Sequence, residues 1–385
     1  MKKNIFLSIS LSLFTGSWVF AGPRPLYFER ACENGVQINL GAVGDFLMHD
    51  PLQKKSQNTK SFQPLWKQWL NYTRGVEQMY GNLEVPTARG HAVDGSIVPD
   101  PGNVFDRYVH TTFPLFNTHP QILKDINESG FDIVSTANNH ALDRGPKGVE
   151  ATIDELESVG LSFTGTRRRN EVREASVYIE SKGIKVGWLA CTTVLNSADK
   201  EKQVLHCRRD WNKIKEIISR MKHQADAVIV TPHWGEENKN EPHKEQYYFG
   251  RQMLDAGATA VLGAHPHVLQ PMEKYRTKDG REGFIIYSLA NFISFQPDFK
   301  QKSSMMLFLG LTKNRSGETF INGVKYIPAL MRNRTGNLMD IELLPLEKAQ
   351  KDPLYDVVKE HIFDLFPVEN SMGFGEKIIT NSQCR

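Results

Sequence analysis

The chain carries little excess charge of either sign. Its 385 residues include 47 Lys and Arg against 44 Asp and Glu, a formal net charge of +3. That balance leaves no electrostatic footprint for a nucleic-acid backbone. Basic residues cluster only at Arg167-Arg168-Arg169 and Arg208-Arg209; such runs are usually solvated loops and otherwise hold anions. Beyond the N-terminal segment no apolar run is long enough to span a bilayer, so no membrane span is expected in the mature chain. There are four cysteines and no Cys-x-x-Cys pair, which gives a thiolate zinc site little to build on. The sequence shows no internal repeat, no low-complexity segment and no identifiable aromatic clamp for a nucleobase.

What is present begins with a leader. Lys2 and Lys3 precede an apolar run from Ile5 to Phe20, and Val19-Phe20-Ala21 is a small-x-small cleavage triplet. Residues 1–21 therefore read as a cleaved signal peptide, with the mature chain starting at Gly22 in the periplasm or outside the cell. No cysteine follows closely enough for lipid attachment. In an exported protein, Cys32, Cys191, Cys207 and Cys384 suggest two disulfides, for which three pairings are open. The favoured pairing is Cys191–Cys207, closing a polar segment after a strand, which leaves Cys32–Cys384 to tie the chain ends.

The rest reads as alternating strands and helices. Apolar runs at Val36–Val43, Phe131–Thr136, Ile184–Ala190, Ala227–Val230, Thr259–Leu262 and Phe284–Ser288 predict strands. Pro146 with Val149, Ile153 and Leu156 predicts one helix, and Trp211, Ile214, Ile217, Ile218 and Met221 a second. Tyr247–Leu254 is a third candidate. This rhythm argues for a layered α/β domain. The expected organisation is a domain over 22–345 and a C-terminal extension over 346–385 packing on it. The irregular stretch from Pro86 to Pro120 is long enough to be functional or mobile.

Several predicted strands end in residues that ligate metals. Asp45 follows Val43-Gly44, and Asn139 and His140 follow Ala137-Asn138. His233 follows Thr231-Pro232, and His265 and His267 flank Pro266. Imidazoles, carboxylates and an amide oxygen suit one or two zinc, manganese or iron ions at a hydrolytic site. Ligands in layered α/β folds gather at the carboxyl ends of strands. His265 and His267 read as one face of an extended stretch.

Six segments in order carry a family resemblance: Gly44-Asp45, Gly81-Asn82-Leu83-Glu84, Ala137 through Gly145, His233-Trp234-Gly235-Glu236, His265 through Gln270, and Tyr287 through Phe292. Over about residues 36–296 the chain resembles the CapA family of poly-γ-glutamate capsule synthesis proteins. The fold of that family is similar to calcineurin-like metallophosphoesterases. The resemblance implies an α/β, four-layer αββα sandwich. It implies metal ligation by Asp45, Glu84, Asn139, His233, His265 and His267, with Glu84 in place of the usual bridging Asp. It implies His140 as general acid, oriented by Asp143. Asn82, Asn138, Glu236 and Asn291 line the site in this reading, Asn291 as a brace, and Glu237 reads as a solvated loop acid. There are departures. Leu47 stands where typical phosphoesterases have a His ligand, with His49 a poorly spaced substitute, and Ala290 stands where the family usually has Gly. Three functions follow as expectations: a metallohydrolase acting on a phosphoester or on an amide or ester bond of a surface polymer, a non-catalytic polymer-binding factor working with the capsule synthesis machinery, or a small-molecule phosphoesterase or nucleotidase.

Overall fold

Short buried strands alternating with amphipathic helices can cover both faces of a parallel sheet, and this chain does so twice. The structure, a computed structural model, describes residues 23–171, 175–333 and 337–383; the expected leader and Cys384 lie outside the described residues. The first part of the chain forms β1 (Val36–Phe46), α1 (Asp50–Thr59), α2 (Leu70–Thr73), β2 (Gln78–Leu83), α3 (Gln121–Glu128), β3 (Ile133–Ser135), α4 (Gly145–Ser158) and β4 (Ser162–Thr164). Next come β5 (Val177–Ser181), β6 (Ile184–Thr192), α5 (Trp211–Gln224), β7 (Ala227–His233), α6 (Lys244–Ala256), β8 (Ala260–Leu262), β9 (Leu269–Arg276), β10 (Glu282–Leu289) and β11 (Asn291–Ile293). The last part is α7 (Phe299–Lys302), β12 (Ser303–Lys313), β13 (Thr319–Arg332), β14 (Glu342–Pro345) and α8 (Tyr355–Leu365).

Two sheets result. One runs β14-β13-β12-β1-β2-β3-β4, with β11 added beside β1; the other runs β5-β6-β7-β8-β10-β9. β1 to β4 are mutually parallel, as are β6, β7, β8 and β10. Between the sheets Ile38, Leu40, Ala42 and Tyr80 meet Val186, Trp188, Ile229, Leu262 and Ile286. Leu52, Ile122, Ile126, Val149, Ile153 and Leu156 bury the inner faces of α1, α3 and α4 against the first sheet. Ile214, Ile217, Ile218, Met221, Met253 and Leu254 do the same for α5 and α6 on the second. The layers are therefore αββα, as expected. After β14, α8 inserts Val358, Ile362 and Phe366 into the core between the sheets.

Cys191 and Cys207 form a disulfide across a sequence separation of 16 residues. It closes a loop whose two ends also exchange backbone bonds, Cys207 N–H to Thr192 O and Thr192 N–H to Leu205 O. A loop of this size stabilises by about 3 kcal/mol in the chain-entropy model. The Cys191→Ala/Cys207→Ala double variant is expected to lose that amount in urea titration. Non-reducing peptide mapping of the native protein should recover the linked pair.

The long irregular segment is ordered from within. Asn117 accepts from Ala88 N–H and donates to the Ala88 and Val109 carbonyls. Arg144, buried, donates to His91, Val109 and Leu115 carbonyls and to the Thr111 hydroxyl. Burial lowers its pKa to about 10, yet it stays charged at neutral pH. It holds residues 91–115 against the start of α4.

Candidate metal centre

The parallel strands of both sheets point their carboxyl ends at one edge, and the expected ligands stand there. Asp45 lies near the end of β1, Glu84 directly after β2, Asn139 after β3, His233 at the end of β7, and His265 and His267 between β8 and β9. The two sheets join at this edge, where β10 of the second runs into β11 of the first through Ala290. The Ala290 carbonyl accepts from Asp45 N–H at 3.0 Å. It approaches so closely that a Cβ on Gly44 would sit 1.8 Å from it, so only glycine fits before Asp45. Ala290 has φ of 58°, a left-handed conformation that costs a non-glycine residue energy and tends to occur at functional sites.

All six side chains come together. Two overlapping sets of donor atoms, Glu84–His265–His267 and Asp45–Glu84–His233, each lie within 4.8 Å of one another, with Glu84 common to both. His233 Nε2 is 2.9 Å from Asn139 Oδ1 and 3.5 Å from Glu84 Oε1, and His267 Nε2 is 3.7 Å from the same oxygen. Ligands about 2.1 Å from a shared ion stand roughly 3.0–3.4 Å apart, close to these separations. The orientation of His267 is fixed. Asn291 uses its Nδ2 on the His267 and Gln301 carbonyls and on Gln296 Oε1, so its Oδ1 is left to accept from His267 Nδ1 at 3.0 Å. Asp45 Oδ2 lies 3.1 Å from the same nitrogen. The proton therefore sits on Nδ1, and Nε2 turns its lone pair toward Glu84. Asn82 donates to Asp45 Oδ1 at 2.8 Å, and Asn138 donates to the Leu83 carbonyl.

The electrostatics fit a divalent cation. Glu84 is fully buried, and neither of its oxygens has a hydrogen-bond partner within the protein. His265 Nδ1 is likewise buried and unpartnered. Burial first, and then the Asp45 charge, hold the Glu84 carboxyl well above the usual carboxylate range. Burial also takes His233 well below the ordinary imidazole value and His265 down to about 3, with neighbouring histidines adding to both. An isolated buried carboxylate costs several kcal/mol. Two positive charges beside it reverse that cost and leave neutral imidazoles as ligands. Zinc, manganese and iron all suit this mixed nitrogen and oxygen donor set.

His140 stands beside the cluster. Its Nδ1 is 2.8 Å from Asp143 Oδ2, which also accepts from Phe116 N–H at 2.7 Å. The Phe116 ring meets the His140 ring edge to face at 4.8 Å and the His49 ring at 5.4 Å. From the disulfide loop, Asn196 N–H donates to the Asn139 carbonyl. Phe116 and Asn196 are site residues that the sequence reading did not find. Neither follows an apolar strand, and only the length of the 86–120 segment hinted at the first.

Two expectations need correction. His265 and His267 are not on an extended stretch: their φ values are 99° and 59°, so a tight loop, not strand alternation, brings both rings inward. Glu236 is exposed and borders a separate cavity of about 80 Å³ with Thr193, Arg208 and His243. Glu237 is exposed, as expected of a solvated loop acid. His49, expected to be a poorly spaced substitute, belongs to neither donor set, and its Nδ1 takes the Phe295 N–H at 3.2 Å.

Four layers, with a buried cluster of histidine, asparagine and carboxylate groups at the strand ends, make this an αββα sandwich carrying a candidate metal centre. Within that class the chain belongs to the family described as bacterial capsule synthesis protein PGA_cap, whose sequence model matches residues 39–296. It is 28% identical over 320 residues to the PGA biosynthesis protein CapA of Bacillus subtilis (strain 168), covering 82% of this chain and 79% of that one. It is also 28% identical over 286 residues to the capsule biosynthesis protein CapA of Bacillus anthracis, covering 72% of this chain and 65% of that one. A solved structure of a novel phosphatase from Mycoplasma pneumoniae is similar with a TM-score of 0.44 and 12% identity, over 84% of this chain and 100% of that one.

Proposed function

We propose that this protein is an exported, metal-dependent hydrolase of capsule biosynthesis, acting on a phosphoester or on an amide or ester bond of the surface polymer. The observation that carries this reading is Glu84, a carboxylate shared by two donor sets and buried without a protein partner. A divalent ion in this set supplies Lewis-acid stabilisation of developing negative charge and acidifies water. His140 holds a proton near the cluster for delivery to a leaving oxygen or nitrogen, and Asp143 keeps its Nδ1 engaged so that Nε2 faces the reaction. Phe116 excludes water from one side of His140. The test is a hydrolysis screen of the purified protein with manganese or zinc, on aryl phosphodiesters and on γ-linked glutamate polymer. Turnover of one substrate, abolished by a chelator, is expected; no turnover of either with any metal would contradict the reading.

Leu47 favours a second reading, a polymer-binding factor without turnover. Its buried, apolar side chain occupies the position of a usual ligand. Export is the remaining part of the proposal. It is supported by the leader pattern and by the disulfide, since such bonds persist in oxidising compartments. Mass spectrometry of protein from its own cells should find Gly22 at the N-terminus. An intact Met1 on a cytosolic chain would contradict export.

A further inference from the structure

Asn139 and His233 reach the metal centre from different sheets. Asn139 follows β3 of the first, and His233 ends β7 of the second. Their side chains meet, with Asn139 Oδ1 2.9 Å from His233 Nε2. Ladder hydrogen bonds within either sheet do not fix a separation between sheets. The loop closed by Cys191–Cys207 binds the main chains of both residues. Thr193 N–H donates to the His233 carbonyl at 2.9 Å, and the Thr192 hydroxyl donates to the same oxygen at 3.2 Å. Asn196 N–H donates to the Asn139 carbonyl at 3.1 Å. Thr193 and Asn196 are so near in the chain that they stand no more than about 11 Å apart even when fully extended. The distance between the two carbonyls is therefore limited by this short stretch.

The loop itself is held at both ends. It leaves β6 of the second sheet, and its later part is anchored on the first. Leu205 N–H donates to the carbonyl of Gly165, the residue just past β4, at 2.9 Å. Gln203, 1% exposed, donates from Nε2 to the Pro146 and Arg167 carbonyls. Val204 is buried with the core on the helix side of the first sheet. The disulfide joins the two ends, and both of its cysteines are fully buried.

We infer that this loop is a strap that holds Asn139 and His233 at ligating distance through the N–H groups of Asn196 and Thr193, and that closing the disulfide completes the metal centre. The ion in that centre rests on the metal reading above. Closure takes two electrons and two protons from the thiol pair and passes them to a disulfide-bearing oxidant, which leaves as its dithiol. Because both cysteines are buried, the bond forms during folding and is afterwards out of reach of a soluble thiol. The strap thus ties metal loading to maturation in an oxidising compartment, not to a reversible switch.

The experiment compares the native mature chain with Cys191→Ala/Cys207→Ala and with Asn196→Pro, which keeps the disulfide and removes one donor of the strap. Two quantities are read on metal-stripped protein, at a temperature where circular dichroism shows every variant folded. One is affinity for manganese or zinc, by competition with a chelator. The other is amide hydrogen exchange over residues 191–197. Leu343→Ala is the control for general destabilisation, since it opens the core at β14, on the sheet edge opposite β4. In Cys191→Ala/Cys207→Ala, affinity should fall about tenfold to 100-fold, the usual loss for a group that orients a ligand. Its Thr193 and Asn196 amides should exchange at least about tenfold faster, the protection of one hydrogen bond. Asn196→Pro should lose affinity to a similar extent, and Leu343→Ala should change neither quantity. Native affinity in Cys191→Ala/Cys207→Ala, or an equal loss in Leu343→Ala, would overturn the inference. A native chain that binds neither ion would contradict the metal reading instead. Exchange would then decide the strap alone: faster exchange in Cys191→Ala/Cys207→Ala supports it, and unchanged exchange overturns it.

Discussion

Glu84→Gln is expected to strip the protein of its metal and leave the fold intact. The amide keeps the shape of the side chain but removes the charge shared by both donor sets. Metal affinity should fall by more than about 100-fold, beyond the loss typical of a residue that merely supports a ligand, and hydrolysis should fall to background. Stability should move the other way in the metal-free protein. The Glu84 carboxyl is held well above the ordinary carboxylate range, so above that range the folded state binds more protons than the unfolded state. The metal-free native protein then loses stability as pH rises, until the raised folded value is passed. Glu84→Gln lacks this dependence, and its stability relative to the metal-free native protein should grow with pH over that window. Elemental analysis and urea titrations across pH check both halves. A Gln variant that keeps full metal content would remove Glu84 from the centre.

His140→Ala is expected to separate chemistry from binding. His140 contacts Asp143 and Phe116 and belongs to neither donor set. Loss of a positioned general acid costs about 10²–10⁴-fold in rate, while metal content should not change. His265→Ala, by contrast, removes a donor and should lower metal content and rate together. Should capsule output survive His140→Ala undiminished, the polymer-binding reading favoured by Leu47 would replace the hydrolase.

Local signals made part of this structure legible. α4 could be read from Pro146 and the Val149, Ile153, Leu156 spacing, and α5 from five apolar residues on one face, because helical periodicity survives in the sequence. Asp45, Asn139, His233 and His265 stood out because each closely follows a buried run, whereas Glu84 was legible only through the family resemblance. β2 was hidden: Gln78, Gly81 and Asn82 are poor strand formers, yet all of it is buried, so the tertiary setting overrides propensity. α1 was hidden for a similar reason, since its Lys55 is buried and donates to the Met339 and Ile341 carbonyls, far along the chain. The antiparallel strands β12 to β14 carry no ligand at their ends and went unread. Phe116 reaches the site only because Arg144 and Asn117 shape the irregular segment. No local pattern encodes the positive φ values of His265 and His267 in the loop between β8 and β9.

The central claim is that Glu84 lies at the heart of a metal centre. X-ray diffraction from crystals of the purified protein, recorded on either side of the manganese, iron and zinc absorption edges, tests it most directly. The account predicts an anomalous peak within coordination distance of Glu84 and of His265 or His233. Crystals grown with these metals that show no such peak, and a Glu84 carboxyl bonded only to water or protein, would contradict it.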